Sequence, residues 1–203
     1  MPTPHAQPIH APALALLEFD SSAAGFVAAD VMAKKAPLDR LVTGTVQPGR
    51  LLVLLAGEVA SVEECLEAGR AAGAGALLDE VYLPGVHGQV IAALAGVRQI
   101  PPEDALGMVE TGSAASAIRA GDAGLKGADV RLLELRLSDG LGGKGLCFFT
   151  GPLSDVEASV ELGAAAVSPG QLVHAAVITR LSPELAAGLG MTTHFAKGLN
   201  PTQ

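Results

Sequence analysis

The chain has 203 residues, enough for one large domain or two of roughly 100. Apolar residues make up 49% and charged residues 17%, which excludes a broadly disordered chain. The 13 basic and 21 acidic side chains leave a net charge of -8, which argues against a generic binder of nucleic acid or of an anionic membrane.

The first residues, including His5 and His10, form a Pro-containing polar tail, placed at 1–11, with no signal-peptide pattern. Leu14 to Phe19 reads as a short apolar strand. Asp20-Ser21-Ser22 then supplies a cap for a helix from Ala23 to about Ala36, which Pro37 stops. Leu38 to Val46 and Leu51 to Ala56 read as strands around the turn pair Pro48-Gly49. Ser61-Val62-Glu63-Glu64 has the pattern of a capping box and predicts a second helix to about Ala72. Ala76 to Leu83 is the next strand, and Val86 to Leu94 a short helix. Leu51 to Ala56 is also the longest dense apolar run, far too short to span a bilayer. A reducing cytosol is the simplest compartment.

The chain then repeats itself. Ala13 to Glu18 (ALALLE) is echoed by Ala105 to Glu110 (ALGMVE), an offset of 92 residues. At the same offset Ser21 meets Ser113, Ala28 meets Ala120, Asp30 meets Asp122, Lys34 meets Lys126 and Ala36 meets Ala128. The offset grows to 94 where Gly49 meets Gly143, Gly57 meets Gly151, Glu67 meets Glu161 and Gly69 meets Gly163. Insertions of this kind are cheap in loops. Two copies of one small domain follow, at 12–96 and 104–190, with a Pro-Pro linker at 97–103 and a C-terminal tail at 191–203. The second copy carries its own capping-box pattern, Ser154-Asp155-Val156-Glu157, and closes on the helix start Ser182-Pro183-Glu184. The order strand, helix, strand, strand, helix, strand, helix predicts an α+β (α/β) ferredoxin-like plan in each copy: an antiparallel sheet with helices on one face.

Catalytic chemistry is hard to place on this chain. The histidines His5, His10, His87, His174 and His194 fall in no metal-ligand spacing, and no metal site is predicted. Cys65 and Cys147 make no disulfide framework and read as inert thiols of a helix and a buried strand. The stretch Gly140-Leu141-Gly142-Gly143-Lys144-Gly145 suggests a phosphate loop, but no Ser or Thr follows Lys144, and a strand rather than a helix comes next. A flexible loop between two strands fits better, and its counterpart is the shorter, stiffer Val46-Gln47-Pro48-Gly49-Arg50.

Two paired runs and a single one carry a resemblance. They are ALALLEFDSSAAGFVAADVMAKKA with ALGMVETGSAASAIRAGDAGLKGA, then QPGRLLVLLAGEVASVEECLEAG with GLGGKGLCFFTGPLSDVEASVELG, and the single run LLDEVYLPGVHGQVIAAL. In order, and twice over, they resemble the tandem-domain shell proteins of bacterial microcompartments. The resemblance implies a structural protein and not an enzyme, with no cofactor, located in the shell of a microcompartment in the cytoplasm. Three chains would form a flat pseudohexamer that tiles beside other shell proteins, hexamers and pentamers. It implies a central pore for small metabolites, lined by Val46, Gln47, Pro48, Gly49 and Arg50 of the first copy. The second copy would contribute Asp139, Gly140, Leu141, Gly142, Gly143 and Lys144. Backbone N–H groups, the Gln47 amide and any cation aimed inward would replace part of a polar metabolite's hydration.

The resemblance also places Lys34 and Lys126 at the edges between tiles, with Arg180 in the edge loop of the second copy and His87 near that position in the first. Some tandem shell proteins, similar to the propanediol-utilisation type, carry a Cys just before the Pro-Gly of this loop, where three thiolates surround an iron–sulfur cluster. Here the residue is Gln47, a poor iron ligand, so an aqueous path without a cluster is predicted. Two other readings stay open on the residues: a duplicated ferredoxin-like small-ligand sensor, and an enzyme using the Gly-rich loop for phosphate.

Overall fold

The computed structural model describes residues 11–99, 101–103 and 105–194. It divides into two compact units between Val97 and Arg98. The first unit runs β1 (Ala13–Phe19), α1 (Ser22–Lys35), β2 (Arg40–Val46), β3 (Arg50–Gly57), α2 (Val59–Gly73), β4 (Leu77–Pro84) and α3 (Gly88–Leu94). The second repeats the order as β5 (Ala105–Thr111), α4 (Ala114–Gly127), β6 (Arg131–Leu137), β7 (Gly145–Gly151), α5 (Leu153–Ala166), β8 (Leu172–Ile178) and α6 (Pro183–Met191). The sheets are antiparallel with orders β2-β3-β1-β4 and β6-β7-β5-β8, so the two copies share one topology.

The central strand explains the continuous apolar run at its start. All seven residues of β1 are buried, so both faces of that strand are covered. Ala13, Ala15, Leu17 and Phe19 face α1 and α2, where they join Ala28, Met32, Leu51, Val53, Leu55, Val62 and Leu66 in one core. Burying a side chain such as Phe19 or Leu17 contributes about 1.5–3 kcal/mol. Where α1 and α2 cross, Gly69 lies directly under the Met32 side chain, and a Cβ there would collide with it. Gly163 does the same work in the second unit, where a Cβ would lie 3.0 Å from the Ala120 carbonyl oxygen.

Helix starts follow the sequence in part. Ser21, Ser113 and Ser182 cap α1, α4 and α6 by accepting from the backbone N–H groups of Ala24, Ser116 and Leu185. The two capping-box expectations are corrected. Helix α2 begins at Val59 after Glu58, and α5 at Leu153 after Pro152, neither with a side-chain cap. The chain turns straight from Gly57 or Gly151 into the helix, and both glycines lie against distant backbone (a Cβ would lie 3.2 Å from the Asp39 nitrogen at Gly57 and 3.4 Å from the Asp129 carbonyl oxygen at Gly151). Ser61 and Ser154 therefore sit inside the first turn, too late to cap.

The expectation of helices on one face holds for the long pairs. The short α6 instead packs on the opposite face of the second sheet. Its Leu189 and Ala186 join Leu106, Met108, Leu133, Leu146 and Phe148 there, whereas the alternate residue Gly107 points at Val156 and Val160 of α5. The segment read as a linker lies along the second unit. The Gln99 N–H donates to the Leu133 carbonyl (3.1 Å), and Arg98 pairs with Glu134 (3.0 Å) while donating to the Leu189 and Met191 carbonyls. Residues 192–194, read as tail, belong to the same network: the Thr193 hydroxyl donates to Glu134 (2.8 Å) and Arg136 donates to the Thr193 carbonyl (3.3 Å). His5 and His10 lie outside the described residues.

Candidate functional site

The two loops singled out by the sequence close equivalent hairpins. In the first, Val46 faces Arg50 across β2 and β3, and the Gly49 N–H donates to the Val46 carbonyl (2.8 Å). The Gln47-Pro48 peptide is cis and Gly49 has φ +107°, a backbone region that favours glycine. The Ser22 hydroxyl at the start of α1 donates to the Gly49 carbonyl (3.0 Å), tying the turn to the helix. Gln47, Pro48 and Gly49 are exposed at the apex.

The second loop is longer and differently built. Leu137 faces Gly145, and the Ser138 N–H donates to the Lys144 carbonyl (2.9 Å), so the loop is closed at its base. Leu141 N–H donates to the Ser138 carbonyl (2.9 Å). Ser138 (φ +56°), Gly140 (+72°), Gly142 (+63°) and Gly143 (+90°) all have positive φ. That density of left-handed residues is what the glycines make possible. The loop joins strand to strand, which leaves no helix N-terminus behind it to cradle a phosphate. Asp139, Gly140 and Gly142 are exposed, Leu141 is half-buried and Gly143 is buried.

The cation at the base of each loop is turned back onto its own sheet. Arg50 Nη1 donates to Glu18 Oε1 at 2.7 Å, and the Glu18 side chain is 0% exposed. Lys144 Nζ donates to Glu110 Oε1. Glu18 and Glu110 occupy the same position of β1 and β5, as Arg50 and Lys144 do of the hairpins, so this is one ion pair built twice. The neighbours differ: across the sheet Glu18 faces Asp79, and Glu110 faces His174. Sequence reasoning missed both glutamates as site residues. The signal was present, since each repeat has an acid next to the end of its first strand and a base at or just before the start of its third.

The family profile described as the BMC domain matches this chain twice, over residues 13–86 and 105–181. The chain belongs to the BMC-domain family. Among its relatives, the bacterial microcompartment shell protein PduT of Citrobacter freundii is 35% identical over 169 residues, covering 83% of this chain and 92% of that protein. A microcompartments protein from Desulfitobacterium hafniense DCB, known from its crystal structure, is 39% identical with a TM-score of 0.74, covering 86% of this chain and 98% of that one. The fused permuted hexameric shell protein MSM0275 of the RMM microcompartment shares the fold, at 18% identity and a TM-score of 0.56, over 76% of this chain and 83% of its own.

Within the BMC domains the other singled-out residues lie apart from the loops in sequence. Lys34 and Lys126 end α1 and α4, each bound one turn back, to Asp30 (2.5 Å) and Asp122 (2.6 Å). Asp30 is 63% exposed and Asp122 only 5%, so the first pair is solvated and the second tethered to a buried carboxylate. The His87 ring accepts from the Gln89 N–H (3.2 Å) and caps α3. Arg180 is exposed beyond β8, beside a cleft lined by Glu103, Pro152, Leu153 and Thr179.

Both cysteines are buried in the domain cores, outside either loop. Cys147 donates weakly to the Val109 and Ala117 carbonyls, and burial pushes its thiol up to about 12, the backbone hydrogen bonds lowering it less. Cys65 donates to the Met32 carbonyl (3.2 Å), and burial raises its thiol too. Native protein at pH 8 is therefore expected to resist an aromatic disulfide reagent at both thiols over minutes, and to release both in denaturant. Rapid native reaction of either would show that its core opens.

Proposed function

We propose that this chain is a wall component of a bacterial microcompartment shell, which assembles as a homotrimer. Six BMC domains, two from each chain, then ring a central pore for small metabolites. The observation that carries this reading is the equivalence of the two domains: same strand order, same hairpin, same loop position and same ion pair beneath it. A chain made of two like domains closes into a ring of six from three copies, with two loop types alternating around the axis. Phe26, Val27 and Val31 stand exposed on α1, as do Leu78 on β4 and Leu172 and Val173 on β8. Apolar surface of this extent suits burial between copies.

On this reading Val46, Gln47, Pro48, Gly49, Asp139, Gly140, Leu141, Gly142 and Gly143 line the pore, with Arg50 and Lys144 at the loop bases. Gln47 at the apex and thiols confined to the cores favour an aqueous path over an iron–sulfur cluster. The wall would form beside other shell proteins, hexamers and pentamers, and carry no catalysis of its own.

Electron microscopy with solution mass tests the assembly. The expected result is flat, six-lobed discs of three chains, each chain 20.4 kDa. A monomer or dimer with no tendency to form sheets would overturn it and favour the small-ligand sensor reading. Lys34, Lys126, Arg180 and His87 are assigned to the edges between discs. Lys34→Ala or Lys126→Ala is expected to weaken sheet formation while the solution mass stays that of the trimer. A fall in mass in either variant would move that lysine from the edge to the ring.

A further inference from the structure

We infer that Asp139 sets the charge preference of this pore, which passes small cations and uncharged polar metabolites ahead of anions. The inference rests on the pore reading above. From the sequence, Arg50 and Lys144 are the charges next to the loops, and a cationic ring is the simple expectation. The structure pairs each with a carboxylate of its own domain, so neither pair adds a net charge beside its loop. Arg50 is bound to the buried Glu18 at 2.7 Å, and Lys144 is bound to Glu110.

The first loop then offers no charge: its apex is Gln47, Pro48 and Gly49. The second offers Asp139, exposed between Ser138 and Gly140, and among the described residues no ion pair holds its carboxylate. One further cation lies near. Arg136 Nη2 is 3.5 Å from where a Cβ on Gly140 would stand. Its guanidinium is directed to the C-terminal segment, donating to the Thr193 carbonyl (3.3 Å) and meeting the His194 ring at 3.4 Å, and its Nε is buried. A carbonyl and a His ring do not neutralise a guanidinium, so Arg136 keeps its charge. But it is half-buried on β6 while Asp139 is exposed, and the solvent-facing charge of the second loop is the carboxylate. Three copies around an axis make an acidic ring, which concentrates cations and repels anions at a constriction. The net charge of -8 adds a field of the same sign.

The test is the reversal potential across layers of the purified full-length protein spread on a nanoporous support, under a potassium chloride gradient. At ~10 mM salt the expected cation-to-anion permeability ratio is about tenfold. It should fall toward unity near 1 M, where the screening length shrinks to ~3 Å. Asp139→Asn should bring the low-salt ratio close to unity, and Asp139→Lys should invert it. Leakage between tiles would not respond to either change, so the difference between variants isolates the pore. Three results would overturn the inference. A layer that conducts but shows no preference, or a preference untouched by Asp139→Asn, leaves the pore standing without this role. An anion preference lost in Arg136→Gln hands control to Arg136. A layer that conducts neither ion removes the pore reading itself, and this inference with it.

Discussion

Replacing Arg50 with methionine is expected to cost about 3–5 kcal/mol of folding stability. The reason is what the change leaves behind. Glu18 is 0% exposed on the central strand, so loss of the guanidinium takes the ion-pair partner from a buried carboxylate. The equivalent change in the second domain should cost far less. The Glu110 side chain is 31% exposed and that of Lys144 46%, and a pair so open to water is worth about 0–1 kcal/mol. Denaturant unfolding of Arg50→Met beside Lys144→Met measures the difference. Equal costs would mean that Glu18 finds water or another donor when Arg50 is gone. The double variant Glu18→Leu/Arg50→Met should regain most of the lost stability, because a paired apolar replacement leaves no charge behind.

Gly145→Ala is expected to destabilise the second domain by about 1–3 kcal/mol, although alanine is an ordinary strand residue. A Cβ at this position would collide with the Ala117 methyl and lie 2.8 Å from both the Ser113 carbonyl oxygen and Thr111 Oγ1. The first domain solves the same contact in reverse. There the strand residue is Leu51 and the helix residue is Gly25, whose Cβ would lie 2.6 Å from Leu51 Cδ2. Large strand with small helix in one domain is matched by small strand with larger helix in the other. Adding Ala117→Gly to Gly145→Ala should therefore recover part of the loss. The Ser113 and Thr111 contacts remain, so full recovery is not expected. Thermal unfolding of both single variants and the double gives the coupling. Strict additivity would show that the helix methyl is not the obstacle.

Much of this protein was legible before any coordinates. Matched Ser, Asp, Lys, Glu and Gly residues at offsets of 92 and 94 revealed two copies of one domain. The apolar run from Ala13, the caps Ser21 and Ser182 and the Pro48-Gly49 turn are local signals, and local geometry decides such features. The helix starts at Val59 and Leu153 were misplaced, because there the chain turns into the helix directly after Gly57 and Gly151, ahead of the capping pattern.

The site divides the same way. Sequence by itself determined the duplication, the order of elements along the chain and both loops, since each follows from residue types at fixed spacing, and its repeated runs carried the family resemblance. Only the tertiary structure decided where the charges point. Glu18 and Arg50 are 32 residues apart and Glu110 and Lys144 are 34 apart, and nothing in spacing states that a sheet brings each pair together. The same holds for Gly25 with Leu51 and Ala117 with Gly145, whose sizes make sense only as partners across a helix and a strand. An ion pair or a packing contact depends on distances in space, and a chain folded into a four-stranded sheet sets those through register, which the one-dimensional pattern does not contain.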